Sequence, residues 1–362
     1  MRLLLLSAHL PPAIDGVGDY SAHLAAALYR QGVQVTLGCG RQERYTPPLG
    51  VDLWPGALEQ ARTRAGQWIE GLRARRCDWL VLQYVPYAFG RWGLPFFLFS
   101  LLAKVRRAGI RVAIFFHEVH IRAEENRLLS VGQQWIARRL CRQADRVFTS
   151  IPYYQQMLAA LGAQAEILPV GANMECIRPT SQERARMRAQ YFPGKRFIVG
   201  TFGRRPLQAV SEAIAALPDT ALLIVGASTV STLPCPMYST GYLPATDLCR
   251  WLCCSDVFVL PDPVTSEGKG GTSLKSGSLA AAFAAALPVI GVRGDLTAPP
   301  LAHGENLWLL DDAGRAGWQT ALSHLCCHTI LTEHLAQGGH RLYRQHLQWE
   351  VLAKNFLRAL SD

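Results

Sequence analysis

Two doubly wound, Rossmann-like α/β domains in tandem, facing a common cleft, are what the sequence predicts. Short, continuously apolar runs alternate with longer helix-patterned segments, which is the rhythm of a parallel sheet covered on both faces. The rhythm pauses at the Pro- and Gly-punctuated connector "LPVGANMECIRPT" (168–180) and then starts again. A length of 362 residues also suits two domains.

In the first half the strand candidates are "RLLLLSA" (2–8), "VQVTLGC" (33–39), "WLVLQY" (79–84), "RVAIFFH" (111–117) and "RVFTS" (146–150). Helices are expected over 18–32, 57–76, 95–109 and 129–144. In the second half the strands are "RFIVGTFG" (196–203), "ALLIVGAS" (221–228), "VFVLP" (257–261), "LPVIGV" (287–292) and "NLWLLDD" (306–312). Helices are expected there over 207–217, 245–254, 273–286 and 314–328. The domains are therefore set at 1–170 and 171–345, with a helical end, 346–362, expected to pack back on the first domain.

Composition narrows the function. With 49% apolar and 18% charged residues the chain is globular. The net charge is +10, carried almost wholly by arginine, since only five residues are lysine. A basic surface suits nucleic acid, anionic lipid or polyanionic small molecules. No arginine run is interleaved with aromatics and no nucleic-acid module is recognisable, so a nucleic-acid partner is not expected. The ten cysteines form no C-x-x-C and no paired metal-ligand spacing, so they read as free thiols buried as small hydrophobes in a reducing cytoplasm. "MRLLLLSAHLPP" has an apolar run too short for a signal peptide and reads as a first buried strand. "WGLPFFLFSLLAKV" (92–105) is too short to span a bilayer.

Ligands of such sheets bind at the carboxyl ends of the strands. After the first strand, Gly16 and Gly18 permit close backbone approach ahead of a helix expected to start at Asp19 or Tyr20, where amides favour an anion or a sugar hydroxyl. Taken alone, this G-V-G reads more readily as a plain turn, and it does not complete a dinucleotide fingerprint because residue 21 is serine. After the fourth strand, "FFHEVH" puts His117 and Glu118 at a strand end, His117 as a cleft residue or a satisfied structural histidine, with His120 a bystander. The spacing is not that of a zinc-binding H-E-x-x-H. Arg204 in "TFGRRPLQAV" stands just past the first strand of the second domain, as a cleft cation or a solvated arginine. "EGKGGTSLKSGSLAAAF" (267–283) then holds two of the five lysines. There Gly268, Gly270 and Gly271 precede Thr272 as an N-cap and Ser273 as the first helical residue. Free amides, a positive helix end, Lys269 and Lys275 make this a phosphate or diphosphate site, the alternative being a Gly-rich turn with solvent lysines. The Walker spacing is absent.

In order along the chain, "PPAIDGVGDYSAHLAAALYRQGVQV", the His117 strand end, "LPVGANMECIRP", "TFGR", "ALLIVGAS", "STGYLPATDLCRWLCCSDVFVLP" and "EGKGGTSLKSGSLAAAFAAALPVIGV…HGENLWLL" resemble the GT-B glycosyltransferases of family 4, over roughly residues 1–345. The resemblance implies a nucleoside diphosphate sugar held by the second domain, with backbone near Tyr242 and Leu243 beside the base. It implies Arg204 on the diphosphate and the amides of Gly270, Gly271, Thr272 and Ser273 around the distal phosphate and sugar. Glu267, the first glutamate of the family's E-x7-E pattern, would face the donor sugar. Gly16 and Gly18 would close over the phosphates, and His117 would lie near the sugar or the acceptor hydroxyl. Retention of configuration is also implied, by same-face attack with the departing phosphate as base.

Two departures stand out. Lys275 occupies the second glutamate position of that pattern, and residue 209, where the family has a lysine, is alanine. Lys275 or Lys269 is therefore expected to supply the missing cation. No Asp-x-Asp motif stands at a strand end, and Asp262 in "LPDP" lacks a partner, so the leaving diphosphate is expected to be stabilised by amides, Arg204 and the lysines, with no metal and no cofactor beyond the donor. The expected activity is sugar transfer to an unidentified acceptor, whether small molecule, glycan or lipid-linked. A nucleotide-sugar 2-epimerase and a non-catalytic sugar-nucleotide-binding protein are the alternatives. The segment 83–109 mixes aromatics, leucines and basic residues. It reads as a buried helix with a basic end, an acceptor pocket, or a peripheral contact with the inner face of a membrane.

Overall fold

The computed structural model describes residues 1–40, 45–226 and 232–361, and divides the chain into two units. The first comprises Met1–Pro169 and the final helix from Trp349; the second runs from Val170 to Gln348.

The first unit is built on β1 (Arg2–Leu6), β2 (Gln34–Gly38), β3 (Asp52–Trp54), β4 (Trp79–Tyr84), β5 (Arg111–Phe116), β6 (Arg146–Thr149) and β7 (Glu166–Ile167), in the order β3-β2-β1-β4-β5-β6-β7. All pairs are parallel; Leu3 lies opposite Val35 on one side and Trp79 on the other. The "RLLLL" run is continuous because both faces are covered, and Leu3, Leu4, Leu5 and Leu6 are all buried. Each fully buried leucine contributes about 1.5–3 kcal/mol.

The second unit repeats the plan with β8 (Phe197–Phe202), β9 (Thr220–Val225), β10 (Met237–Ser239), β11 (Val257–Val259), β12 (Val289–Val292) and β13 (Trp308–Leu310), in the order β10-β9-β8-β11-β12-β13. Its core gathers Val199, Leu222, Ile224, Val257, Val259 and Ile290 from the strands with Val210, Ile214 and Trp318 from helices. In each sheet the strand order reverses beside the first strand of the unit, between β1 and β4 and between β8 and β11, which defines a switch point in each. These are α/β units of the predicted class.

Several elements differ from expectation. β3, β7 and β10 are edge strands of two or three residues, with no apolar run to reveal them. Segment 57–76 is two helices, Ala57–Thr63 and Ala65–Ala74, broken at Arg64. The helix expected from Asp19 or Tyr20 begins at Gly16, because Asp15 caps it through a bond from the Gly18 amide. The helix expected from Ser273 is Gly277–Ala284, capped by Ser276. Of the strand expected over 221–228, residues 227 and 228 lie outside the described residues. The cysteines are not uniformly buried: Cys176, Cys326 and Cys327 are exposed.

The last helix, Trp349–Ser361, lies against the helix Gly16–Arg30 of its own unit. Trp349 stacks on His23 at 5.3 Å and meets the edge of Tyr20 at 5.2 Å, while Phe356 packs on Phe148 at 4.8 Å.

Candidate functional site

In the second unit the chemistry gathers at the switch point. β8 ends in Gly203-Arg204-Arg205, and Asp262 follows β11 by three residues. Arg205 turns inward and pairs with Asp262, with only 15% and 14% of the two side chains exposed. The second Asp262 oxygen accepts from the Thr272 hydroxyl (2.9 Å), whose oxygen accepts from the Val292 amide (3.0 Å). Arg205 also donates to the Ser276 hydroxyl (3.3 Å), the cap of the helix Gly277–Ala284. Ser278, in the first turn, donates to the Phe202 carbonyl at the end of β8 (3.2 Å). Thus one ion pair ties together the loops after β8 and β11 and the mouth of a helix. Burial lowers the Arg205 pKa from its ordinary value. Asp262, expected to lack a second carboxylate for a metal, is engaged instead by Arg205 and Thr272.

The glycine-rich turn differs most from expectation. Its amides are not free. Those of Glu267 and Lys269 donate to the Thr265 hydroxyl, Gly268 to the Thr265 carbonyl, and Gly270 to the Asp295 carboxylate at 2.7 Å. Gly271 donates to the Pro263 carbonyl at 3.1 Å and Thr272 to the Val292 carbonyl at 2.8 Å. These glycines are needed for packing: a Cβ on Gly270, at φ +117°, would stand 2.1 Å from the Pro263 carbonyl oxygen. Thr272 and Ser273 are buried. An anion here would instead meet the first amides of the helix, Gly277 and Ser278, which lack intrahelical acceptors. Lys275 lies one residue before the capping Ser276, whereas Lys269 holds Glu267 at 2.6 Å, with Glu267 largely exposed. Arg204 is exposed, as is Tyr242, with the half-buried Leu243 next to it beyond β10.

Sequence reasoning selected Arg204 and missed Arg205, Asp262 and Ser276. The signal that bears on this is the arginine doublet. Gly203 has φ +83°, so the alternation of β8 ends there and cannot show which arginine turns in.

In the first unit, His117 follows β5 and is half-buried. Phe115 stacks on it at 4.2 Å and Tyr20 meets it edge-on at 4.9 Å. Its Nε2 is 2.7 Å from Gln83 Oε1, which sets Nε2–H as the donor and leaves the lone pair on Nδ1. Burial among these groups lowers its pKa to about 3, so the ring is neutral. Among the described residues the hydroxyls of Ser7, Tyr20 and Ser150 and the Gln83 amide nitrogen are buried without hydrogen-bond partners; Ser7 follows β1, Gln83 is in β4 and Ser150 follows β6, while Tyr20 is in the helix Gly16–Arg30. His120 Nδ1 donates to the Ile121 carbonyl (2.7 Å). Gly18 is pressed against the His9 carbonyl, and Asp15 already accepts its amide (3.0 Å), while Gly16 is open.

Two units of parallel sheet with flanking helices, each with a switch point, are the GT-B fold. Residues 15–171 match the glycosyl transferase 4-like domain family. Among solved structures, Anabaena HepE in complex with UDP and glucose is similar over 100% of this chain and 99% of its own, at 13% identity and a TM-score of 0.72. Sucrose-phosphate synthase from Thermosynechococcus elongatus is similar over 100% and 98% (18% identity, TM-score 0.69). WaaG, a glycosyltransferase involved in lipopolysaccharide biosynthesis, is similar over 98% of each chain (15% identity, TM-score 0.64). Among curated proteins no sequence match is found. The whole chain thus shares its fold with these glycosyltransferases, and residues 15–171 match the glycosyl transferase 4-like domain.

Proposed function

We propose that this protein transfers a sugar from a nucleoside diphosphate sugar to an acceptor hydroxyl, with the donor held by the second unit. The observation that carries the proposal is the helix mouth at Gly277, where the hydroxyl cap Ser276 is bound by Arg205 of the buried Arg205–Asp262 pair, with Arg204 next to Arg205 in the chain and Lys275 next to the cap. The Anabaena protein was solved with UDP-glucose, which supports a donor of this class.

In this scheme Arg204, Lys275 and the amides of Gly277 and Ser278 neutralise the diphosphate as the glycosidic bond breaks. No metal is required by the scheme. Asp262 holds Arg205, and through it Ser276, so that the mouth keeps its shape. Glu267 faces the donor sugar, and Tyr242 and Leu243 the base. His117 is neutral, and its Nδ1 lone pair accepts a hydrogen bond from a sugar or acceptor hydroxyl. Attack comes from the face the diphosphate leaves, with that phosphate taking the proton, so configuration is retained.

The acceptor side has a surface suited to an anionic bilayer. Trp92, Phe96 and Trp135 are each more than half exposed, with Leu128 and Val131 beside Trp135 in the helix Arg127–Cys141. Phe96 and Phe99 both meet Trp135, at 6.2 and 5.4 Å, and Arg91 and Arg139 lie over Trp92 and Phe99. Among the described residues no helix is long and apolar enough to cross a membrane, so the contact is peripheral. Apolar rings with basic groups around them match a headgroup boundary.

The test is thermal shift against a panel of nucleotide sugars, followed by mass spectrometry of the products. UDP-glucose or another member of the panel should raise the melting point, and Arg204→Ala should reduce the rise at the same donor concentration. Donor converted without any acceptor to a 2-epimer, or bound and never transferred or hydrolysed, would overturn the transferase reading. Vesicles containing acidic lipid should retain the protein at low salt; retention unchanged in Trp135→Ser with Phe96→Ser would remove the membrane surface.

A further inference from the structure

Three thiols meet in the second unit. Cys176 lies in the connector after Val170, and Cys249 and Cys253 are one turn apart at the helix Ala245–Leu252, with Cys253 as its C-cap. The Cys176 and Cys249 sulfurs are 3.3 Å apart, and Cys253 lies 4.0 Å from Cys249. Cys176 is exposed and Cys249 buried. Cys253 lines a groove of about 550 Å³ whose rim carries Arg178 and Arg184.

The pair is chemically unequal. Protonated, Cys176 donates to the Ala284 carbonyl at 3.1 Å; ionised, it accepts from the Cys249 thiol. That bond, with the charge of Arg178, outweighs desolvation and brings the Cys176 pKa down to about 6, while Cys249 is held protonated. Exposure, a neighbouring cation and a donating thiol are the conditions that make a cysteine nucleophilic. Among the described residues no group of three or more His, Cys, Asp and Glu side chains is placed to hold a metal ion, so the cluster does not fit a metal centre.

We propose that Cys176 is a site of oxidation by peroxides and that it closes a disulfide onto Cys249, tying the connector to the helix Ala245–Leu252. The Cys176 thiolate attacks one peroxide oxygen, the O–O bond breaks, and hydroxide leaves, giving a sulfenic acid. The Cys249 sulfur then attacks the sulfenic sulfur, the S–O bond breaks, and the Cys249 proton leaves with the hydroxide as water. Two thiols lose two electrons in all, and one peroxide is reduced to two waters. This inference is independent of the proposed sugar transfer.

The test is hydrogen peroxide added to the whole reduced protein at neutral pH, followed by non-reducing peptide mapping. The expected result is a Cys176–Cys249 cross-link reversed by dithiothreitol, with Cys176 consumed at least about tenfold faster than Cys326 and Cys327, the other exposed thiols. In Cys249→Ser, Cys176 should stop at the sulfenic acid and be trapped by dimedone. In Cys253→Ser the cross-link should still form. Equal oxidation of Cys176, Cys326 and Cys327, or a cross-link that disappears in Cys253→Ser, would overturn the proposal.

Discussion

In the first unit the helix Gly16–Arg30 is capped by a carboxylate, Asp15; in the second, the helix Gly277–Ala284 is capped by a hydroxyl, Ser276, on which the Arg205 guanidinium rests. Both lie past the carboxyl edge of a parallel sheet, and in the sequence both stretches carry closely spaced glycines, the first reading more readily as a plain turn and the second as an anion site. The cap distinguishes them. A carboxylate accepts one amide and also places a negative charge at the positive helix end, which disfavours a second anion there. A neutral hydroxyl satisfies one amide and leaves the charge of the helix end in place. The strand ends agree: the first unit offers a neutral His117 hydrogen-bonded to Gln83, and the second offers arginine and lysine. Glycine spacing alone does not identify a phosphate site; the proposal turns also on the charge of the residue before the helix.

The contrast is broken most severely at Asp262. Asp262→Ala leaves Arg205 buried without its carboxylate and should cost about 3–5 kcal/mol, read by denaturant unfolding and by hydrogen exchange of β8 and β11 amides. Arg205→Met with Asp262→Leu should recover most of that loss. Gly270→Ala should cost about 2–3 kcal/mol through its clash and its left-handed backbone. Gly16→Ala, with nothing within 4 Å of the added carbon, should change stability little.

Arg204→Ala and Lys275→Ala should each weaken donor binding about tenfold to a hundredfold, as expected for charge-assisted bonds of about 1.5–3 kcal/mol, with the melting point without donor unchanged. Titration calorimetry with the donor found in the panel checks this; unchanged affinity in Lys275→Ala would move the cation elsewhere. Asp15→Ala should cost about 1 kcal/mol by loss of a cap and leave donor affinity unaltered. A large fall in affinity would place a phosphate on the first helix after all.

The contrast also has a pH dependence. His117 has a folded pKa of about 3, below its ordinary value near 6.5. The unfolded chain therefore binds the extra proton first as pH falls. The stability due to neutral His117 is complete above about pH 6.5 and declines steadily towards pH 3. His117→Gln should flatten that part of the stability–pH curve, measured by denaturant midpoints.

Much was legible before any coordinates. Continuous runs such as "RLLLL" and "WLVLQY" announced buried parallel strands, because a strand covered on both faces must be apolar at every position. The repetition of that rhythm announced two units. Where a residue's role depends on partners far away in the chain, the sequence was silent. The helix was expected from Thr272 because threonine suits a cap, but the Thr272 hydroxyl is engaged by Asp262 and the Val292 amide, so the chain runs on four residues to Ser276.

Local periodicity and turn chemistry, which act over a few residues, determined the fold class and the two-unit plan. The assignment of Arg205 rather than Arg204 to the interior, the engagement of the amides of Gly270, Gly271 and Thr272, and the meeting of Cys176 with Cys249 were decided only by tertiary structure. Hydrogen bonds and ion pairs are satisfied by proximity in space, and these partners, such as Arg205 with Asp262, are 57 residues apart or, for Cys176 with Cys249, 73.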